Sequence, residues 1–138
     1  VMSALSFTVT PILLRKVLWA DALSGAATGA LQLAVPGVLA AWLGLPVALL
    51  ISSGLVIFAF VALAGYMATR ADVSRTLLTL LVVGNWAWVV GCVALAFSGT
   101  LTPTAWGVGY LLVQAAVVAV LAELQWMGLR QLRAQPAW

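Results

Sequence analysis

Long apolar runs alternate with short polar or turn-forming stretches along the whole chain, and the runs have the length of membrane-crossing helices rather than of strands. Thr10 followed by Pro11 is a good helix start, because threonine can cap the first amides and proline suits the first helical position. The first span is predicted over 12–35, where Pro36 and Gly37 stop it. VLAAWLGL, at 38–45, is too short to cross and is expected to lie at the membrane interface as a loop or short helix. Pro46 restarts the chain into a second span over 46–69, uncharged until Arg70. TRADVSR forms a short polar connector, which forces the second and third spans to be adjacent and antiparallel. The third span is predicted over 76–98, SGTLTP turns the chain, and the fourth follows over 104–127. The opening VMSALSFTVT is apolar but too short to span and lacks a basic signal-like start, so it reads as a lead-in along the lipid surface. GLRQLRAQPAW, after the fourth span, is polar and expected to fray. The pattern predicts an all-α membrane protein, a single domain over 1–138 built as an up-down-up-down bundle of four transmembrane helices.

Composition sharpens this picture. Hydrophobic residues make up 65% of the chain and charged ones 7%, against about 25% charged in a soluble domain. The mean hydropathy is +1.20, and a surface of that kind needs lipid as its solvent. Histidine is absent and Cys92 is the one cysteine, so zinc sites, the commonest haem ligands and intrachain disulfide chemistry cannot be assembled from this sequence alone. No cofactor is expected. The net charge of +3 would suggest nucleic acid in a soluble protein, but here the basic residues flank apolar runs and read as topology signals, with no nucleic-acid partner. Arg15 and Lys16 precede span one, Arg70 and Arg75 bracket the second turn, and Arg130 and Arg133 follow span four. The other two connectors carry none, so both termini are expected on the cytoplasmic side. Trp19 and Trp126 mark that face, Trp42 and Trp106 the opposite one.

Small residues recur at packing intervals inside the spans. Gly25 and Gly29 form a GxxxG step, span three has Gly84 and Gly91, and span four has Gly109, all read as positions of close helix approach. The polar residues are fewer and more informative. Asp21, Gly25, Thr28 and Gln32 are spaced by 4, 3 and 4 residues and share one helical face, which must avoid lipid. Counted from the cytoplasmic side at about 1.5 Å per residue, Asp21 lies roughly 6 Å deep, Thr28 roughly 16 Å and Gln32 roughly 22 Å. The same count puts Glu123 at roughly 6 Å, Asn85 at roughly 13 Å and Gln114 at roughly 20 Å. Three levels are therefore expected: Asp21 with Glu123, Thr28 with Asn85, and Gln32 with Gln114.

Two roles compete for these groups. Interhelical hydrogen bonds in membranes contribute about 0.6 kcal/mol each, and the amide pairs read as ordinary glue or, alternatively, as the lining of a cavity. An acid within a span costs about 2.5 to 3.5 kcal/mol on insertion scales and is by default a functional candidate. Asp21 lies near the positive end of its helix, within reach of a basic partner such as Arg75 or Arg130. Glu123 lies near the negative end of its own, where a carboxylate is disfavoured. Of the tryptophans inside the spans, Trp88 shares a side with Asn85 and Cys92 and is expected to face the bundle, with Trp86 outward.

In LLRKVLWADALSGAATG, VVGNWAWVVG and LAELQWMGLR the chain resembles uncharacterised small four-helix integral membrane proteins of proteobacteria. The resemblance implies a bacterial inner-membrane location and carries no catalytic residue. In size and span count the chain is also similar to small multidrug transporters, whose essential glutamate lies deeper in the first helix than Asp21. With no nucleophile and base pair, metal cluster or phosphate loop in view, the favoured reading is a non-enzymatic membrane protein embedded in the lipid bilayer, acting as a homo-oligomer or as an accessory subunit of a larger membrane complex. The alternative is a small proton- or cation-coupled transporter using Asp21 and Glu123. The charge pattern predicts that a reporter fused after Trp138 is active in the cytoplasm; activity confined to the periplasm would mean an odd number of spans.

Overall fold

The computed structural model describes residues 10–134. They form five helices: α1 (Pro11–Ala34), α2 (Pro36–Leu43), α3 (Val47–Thr69), α4 (Arg75–Phe97) and α5 (Ala105–Ala134). No strand occurs among the described residues. The start of α1 is capped as the sequence suggests, and those of α4 and α5 are capped by side chains as well. Thr10 Oγ1 accepts from the Leu13 amide at 3.1 Å, and Ser74 Oγ accepts from Leu77 at 3.3 Å. Thr104 does the same for α5, taking the Gly107 amide at 3.1 Å.

Three of the helices are long and apolar enough to cross a membrane: α3, α4, and α5 over Ala105–Leu132. A fourth candidate is the pair α1 and α2 taken as one bent element, broken by 95° at Val35 and Pro36, by length and composition. The first span is thus the least apolar of the predicted set, because Arg15, Lys16, Asp21, Ser24, Thr28 and Gln32 all lie within α1. The short segment before Pro46 is helical, and it turns sharply away from α1. The fourth helix runs past the predicted limit of 127 to Ala134, so the described part of the polar tail is helical rather than frayed. Residues 1–9 and 135–138, including the predicted lead-in, lie outside the described set.

Packing is uneven. The extensive contacts are those of α1 with α3 and of α4 with α5, while α1 with α5 and α3 with α4 meet more lightly. Arg15, near the start of α1, donates to the carbonyls of Ala68 at 3.1 Å and Arg70 at 2.9 Å, at the end of α3. Gln32, near the end of α1, meets Leu50 and Ser53 at the start of α3. A Cβ on Gly25 would lie 2.8 Å from Val61 and one on Gly29 2.9 Å from Phe58, so the GxxxG step sits against α3. Gly84 receives the ring of Phe60 in the same way. Gly91 and Gly109 depart from the expectation, since nothing approaches either within 4 Å. Gly91 borders an interior cavity, and Gly109 is exposed on the outer side of α5. The close-packing glycine of α5 is instead Gly107, two residues away and on the other face.

Two apolar clusters form the core. One gathers Leu14, Leu18, Met67, Leu78, Leu81 and Leu129; the other gathers Leu39, Leu43, Leu50, Cys92, Leu111 and Ala115. Their members come from opposite ends of the long helices, and the polar groups described below lie between them. The second cluster is closed by the α2 elbow. Gly44, at φ 69°, ends α2 in the left-handed region, and Thr104 then donates its amide to the Leu43 carbonyl at 2.9 Å and its hydroxyl to Trp42 at 2.8 Å. The rings of Trp42 and Trp106 meet there at 5.3 Å.

A side chain at position 107 would run into the Leu43 carbonyl, which has no freedom to withdraw. Gly107→Ala is expected to destabilise the fold by about 1–3 kcal/mol, as overpacking does. Gly109→Ala should leave it unchanged, and thermal unfolding in mild detergent compares the two.

Candidate functional site

The polar interior is built in layers, each drawing on more than one helix. The first is centred on Asp21. Asn85 Nδ2, from α4, donates to Asp21 Oδ2 at 2.9 Å, and Gln125 Nε2, from α5, donates to the same oxygen at 2.6 Å. Asn85 Nδ2 also donates to Gln125 Oε1 at 2.8 Å, which closes a ring of three side chains. Gln125 is fully buried and Asn85 nearly so, while Asp21 remains partly open. A carboxylate is an acceptor-only group, and here two carboxamides supply its donors. No basic side chain is among those partners; Arg15, the cation nearest in sequence to make a resolved bond, is engaged with the end of α3.

The second layer is a single bond, from Trp88 Nε1 to Gln114 Oε1 at 3.3 Å. The third is centred on Gln32, which is 1% exposed. Its Nε2 donates to the Leu50 carbonyl at 2.9 Å and to Ser53 Oγ at 2.8 Å, and its Oε1 accepts from the Tyr110 hydroxyl at 2.6 Å. Every buried side-chain nitrogen and oxygen among the described residues has a partner. Satisfied in this way, the layers hold α1 to α3, α4 and α5 at two heights about 16 Å apart along α1.

Cavities flank the middle layer. One, of about 210 Å³, is lined by Asp21, Thr28, Phe60, Asn85, Trp88 and Gln114 among others. The other, of about 330 Å³, reaches Gln32, Ser53 and Tyr110 and passes Gly91 and Cys92. Phe60, Trp88 and Gln114 border both, so these three side chains form the partition between them.

The chain matches no family model, no curated protein and no solved structure.

None of the three expected pairings forms. Asp21 meets Asn85 and Gln125 rather than Glu123. Thr28 donates to the Ser24 carbonyl at 2.9 Å and shares only a cavity with Asn85. Gln32 and Gln114 border one cavity without bonding each other. Glu123 is exposed on the outer side of α5. The helical repeat of 100° per residue accounts for this, because nine residues separate Glu123 from Gln114 and turn it by about 180°, whereas eleven return Gln125 to the same face. Measured from the helix starts, Asp21 and Asn85 share one depth. Asp21 stands ten residues after Pro11 and Asn85 ten after Arg75, the two helix starts. Ser53, Tyr110 and Gln125 were missing from the candidate set; for Gln125 the eleven-residue spacing was the available signal. Among the described residues no group of histidine, cysteine and acidic side chains could hold a metal ion.

Gln125→Leu removes a donor from Asp21 and an acceptor from Asn85 inside a closed network. The expected loss of stability is about 1–3 kcal/mol. Gln114→Leu breaks one longer bond at a cavity wall and should cost less, as paired unfolding measurements in the same detergent will report.

Proposed function

We propose that the chain is a non-enzymatic integral membrane protein of the bacterial inner membrane, in which α1, α3, α4 and α5 cross as an up-down-up-down bundle and α2 lies along the far surface. Supporting this topology, the start of α1 meets the end of α3 at Arg15, and the start of α5 meets the α2 elbow at Thr104. Arg70 and Arg75 flank the connector that Arg15 holds, so the basic residues gather at one end, the cytoplasmic one by the charge rule. The chain acts as an oligomer or as an accessory subunit of a larger membrane complex.

The observation that carries this reading is Glu123. It stands on the outer face of a membrane-length helix, nine residues before Leu132, among exposed valines such as Val117 and Val120. A carboxylate turned toward lipid is costly, by up to about 2.5 to 3.5 kcal/mol at a helix centre and less toward its end, and a donor on a neighbouring protein surface offsets that cost. A shared proton or cation path through Asp21 and Glu123 is less well supported, since Asp21 faces the interior and Glu123 the exterior.

Extraction of the protein from native membranes in mild detergent, followed by mass analysis, tests the proposal. The wild type should travel in an assembly larger than one chain. Glu123→Leu should release it as a single chain with its own unfolding temperature unchanged. An assembly indifferent to Glu123→Leu, or a wild type that travels alone, would remove the basis of this reading.

A further inference from the structure

The cavity beside Asp21 has a chemistry of its own, independent of whatever contacts Glu123 makes. Both carboxamides converge on Asp21 Oδ2, which leaves Oδ1 available to the space that Asp21 lines. The other oxygens of that wall are acceptors as well. Ser24 commits its hydroxyl proton to the Asp21 carbonyl at 3.1 Å, and Thr28 commits its own to the Ser24 carbonyl at 2.9 Å. Their lone pairs, with the second lone pair of Gln114 Oε1, remain. Facing these acceptors across the cavity are the rings of Phe60 and Trp88 and the aliphatic side chains of Ile57, Val61, Val113 and Val117. One negative charge, several acceptors and two aromatic rings line about 210 Å³, the polar groups coming from α1 with Asn85 and Gln114 and the rest of the lining being apolar.

From this lining we infer that the cavity is a binding site for a small hydrophobic ammonium ion, a primary or secondary amine carrying one compact apolar group. The ligand supplies the positive countercharge that no basic side chain bonded to Asp21 provides, and an N–H-bearing cation can donate to the oxygens of the wall, which a quaternary one cannot. Trp88 and Phe60 favour a cation over a neutral molecule of the same shape, since a ring face attracts positive charge most strongly where water is excluded. An anion is repelled by Asp21. A neutral apolar molecule would leave the free oxygen of Asp21 without a partner. Trp88 has a double position, because its indole N–H is tied to Gln114 while its ring borders both cavities. A ligand that draws the Gln114 oxygen toward itself competes with that bond, which connects occupancy of the first cavity to the partition in front of the second.

The test uses the full chain in nanodiscs of zwitterionic lipid, with empty nanodiscs as the blank, and measures equilibrium binding of benzylammonium at neutral pH against its neutral counterpart benzyl alcohol. Benzylammonium should bind saturably and about tenfold or more tighter than the alcohol. Asp21→Asn should abolish the difference, and Trp88→Leu should weaken the cation by about tenfold while sparing the alcohol. Glu123→Gln, outside the cavity, should change neither. Benzyltrimethylammonium should bind less tightly than benzylammonium. If Asp21→Asn does not fold, the comparison of cation and alcohol on the wild type and on Trp88→Leu decides the question. Equal affinity for the cation and the alcohol, binding untouched by both substitutions, or no saturable binding above the blank would each overturn the site.

Discussion

One carboxylate oxygen joins the two halves of this protein. Asp21 Oδ2 receives a donor from α4 and another from α5, and α1, which carries it, is otherwise packed mainly against α3. In lipid no hydrophobic force presses one helix pair onto another, so close glycine contacts and polar bonds must do so. Within each pair the helices meet along much of their length, whereas between the pairs they meet more lightly, with Gly84 and Gly128 among the points of close approach. The amide ring around Asp21 and the Gln32 to Tyr110 bond, both crossing from one pair to the other, therefore carry a larger share of the association than their number suggests. An acid in a membrane helix is usually suspected of transport or catalysis. In this chain its first task is visible in its partners.

The same arrangement bears on the open pockets beside the polar layers. Apolar clusters fill the two ends, where leucines and methionine interdigitate and where Arg15 and Thr104 tie loops to helix termini. Between them the side chains must reach across a bundle whose diagonal partners are far apart, and only long amides, a tyrosine and a tryptophan do so. Their bonds are satisfied, but planar amides with fixed directions fill space poorly, and the two cavities lie beside them.

Much of the architecture was legible in the sequence because lipid imposes a simple rule: backbone groups must be satisfied within the segment, so long apolar runs become helices. The helix start at Thr10 followed from a side-chain oxygen that can cap the first amides and a proline at the next position. The extension of α5 to Ala134 was hidden because polar residues such as Gln131 say little about whether a helix continues. At the site, Asp21, Asn85 and Gln32 were identifiable as interior groups, since their neighbours on the same face are small or polar. Their partners were not. Depth fixes a level but not an azimuth, and choosing Glu123 over Gln125 followed charge where rotation about the helix axis decided. Gly109 and Gly107 make the same point: a residue shift of two moves a glycine from the packing face to the outside. Ser53 and Tyr110 could not be separated from the many hydroxyls that simply bond their own helix.

The division into pairs also has a consequence in time. A nascent chain delivers α1 and α3 to the membrane before α4 and α5 exist, and the first pair can close at once, because Gly25, Gly29, Arg15 and Gln32 all find contacts within residues 11–71. Asp21 cannot. Its donors arrive only when Asn85 and then Gln125 have been synthesised, at the far end of the chain. Until then Asp21 lacks the two carboxamides that hold it in the folded protein, and α5 supplies the second of them. The helix pair made first is therefore secured to the second through Asp21 only once α5 has been made.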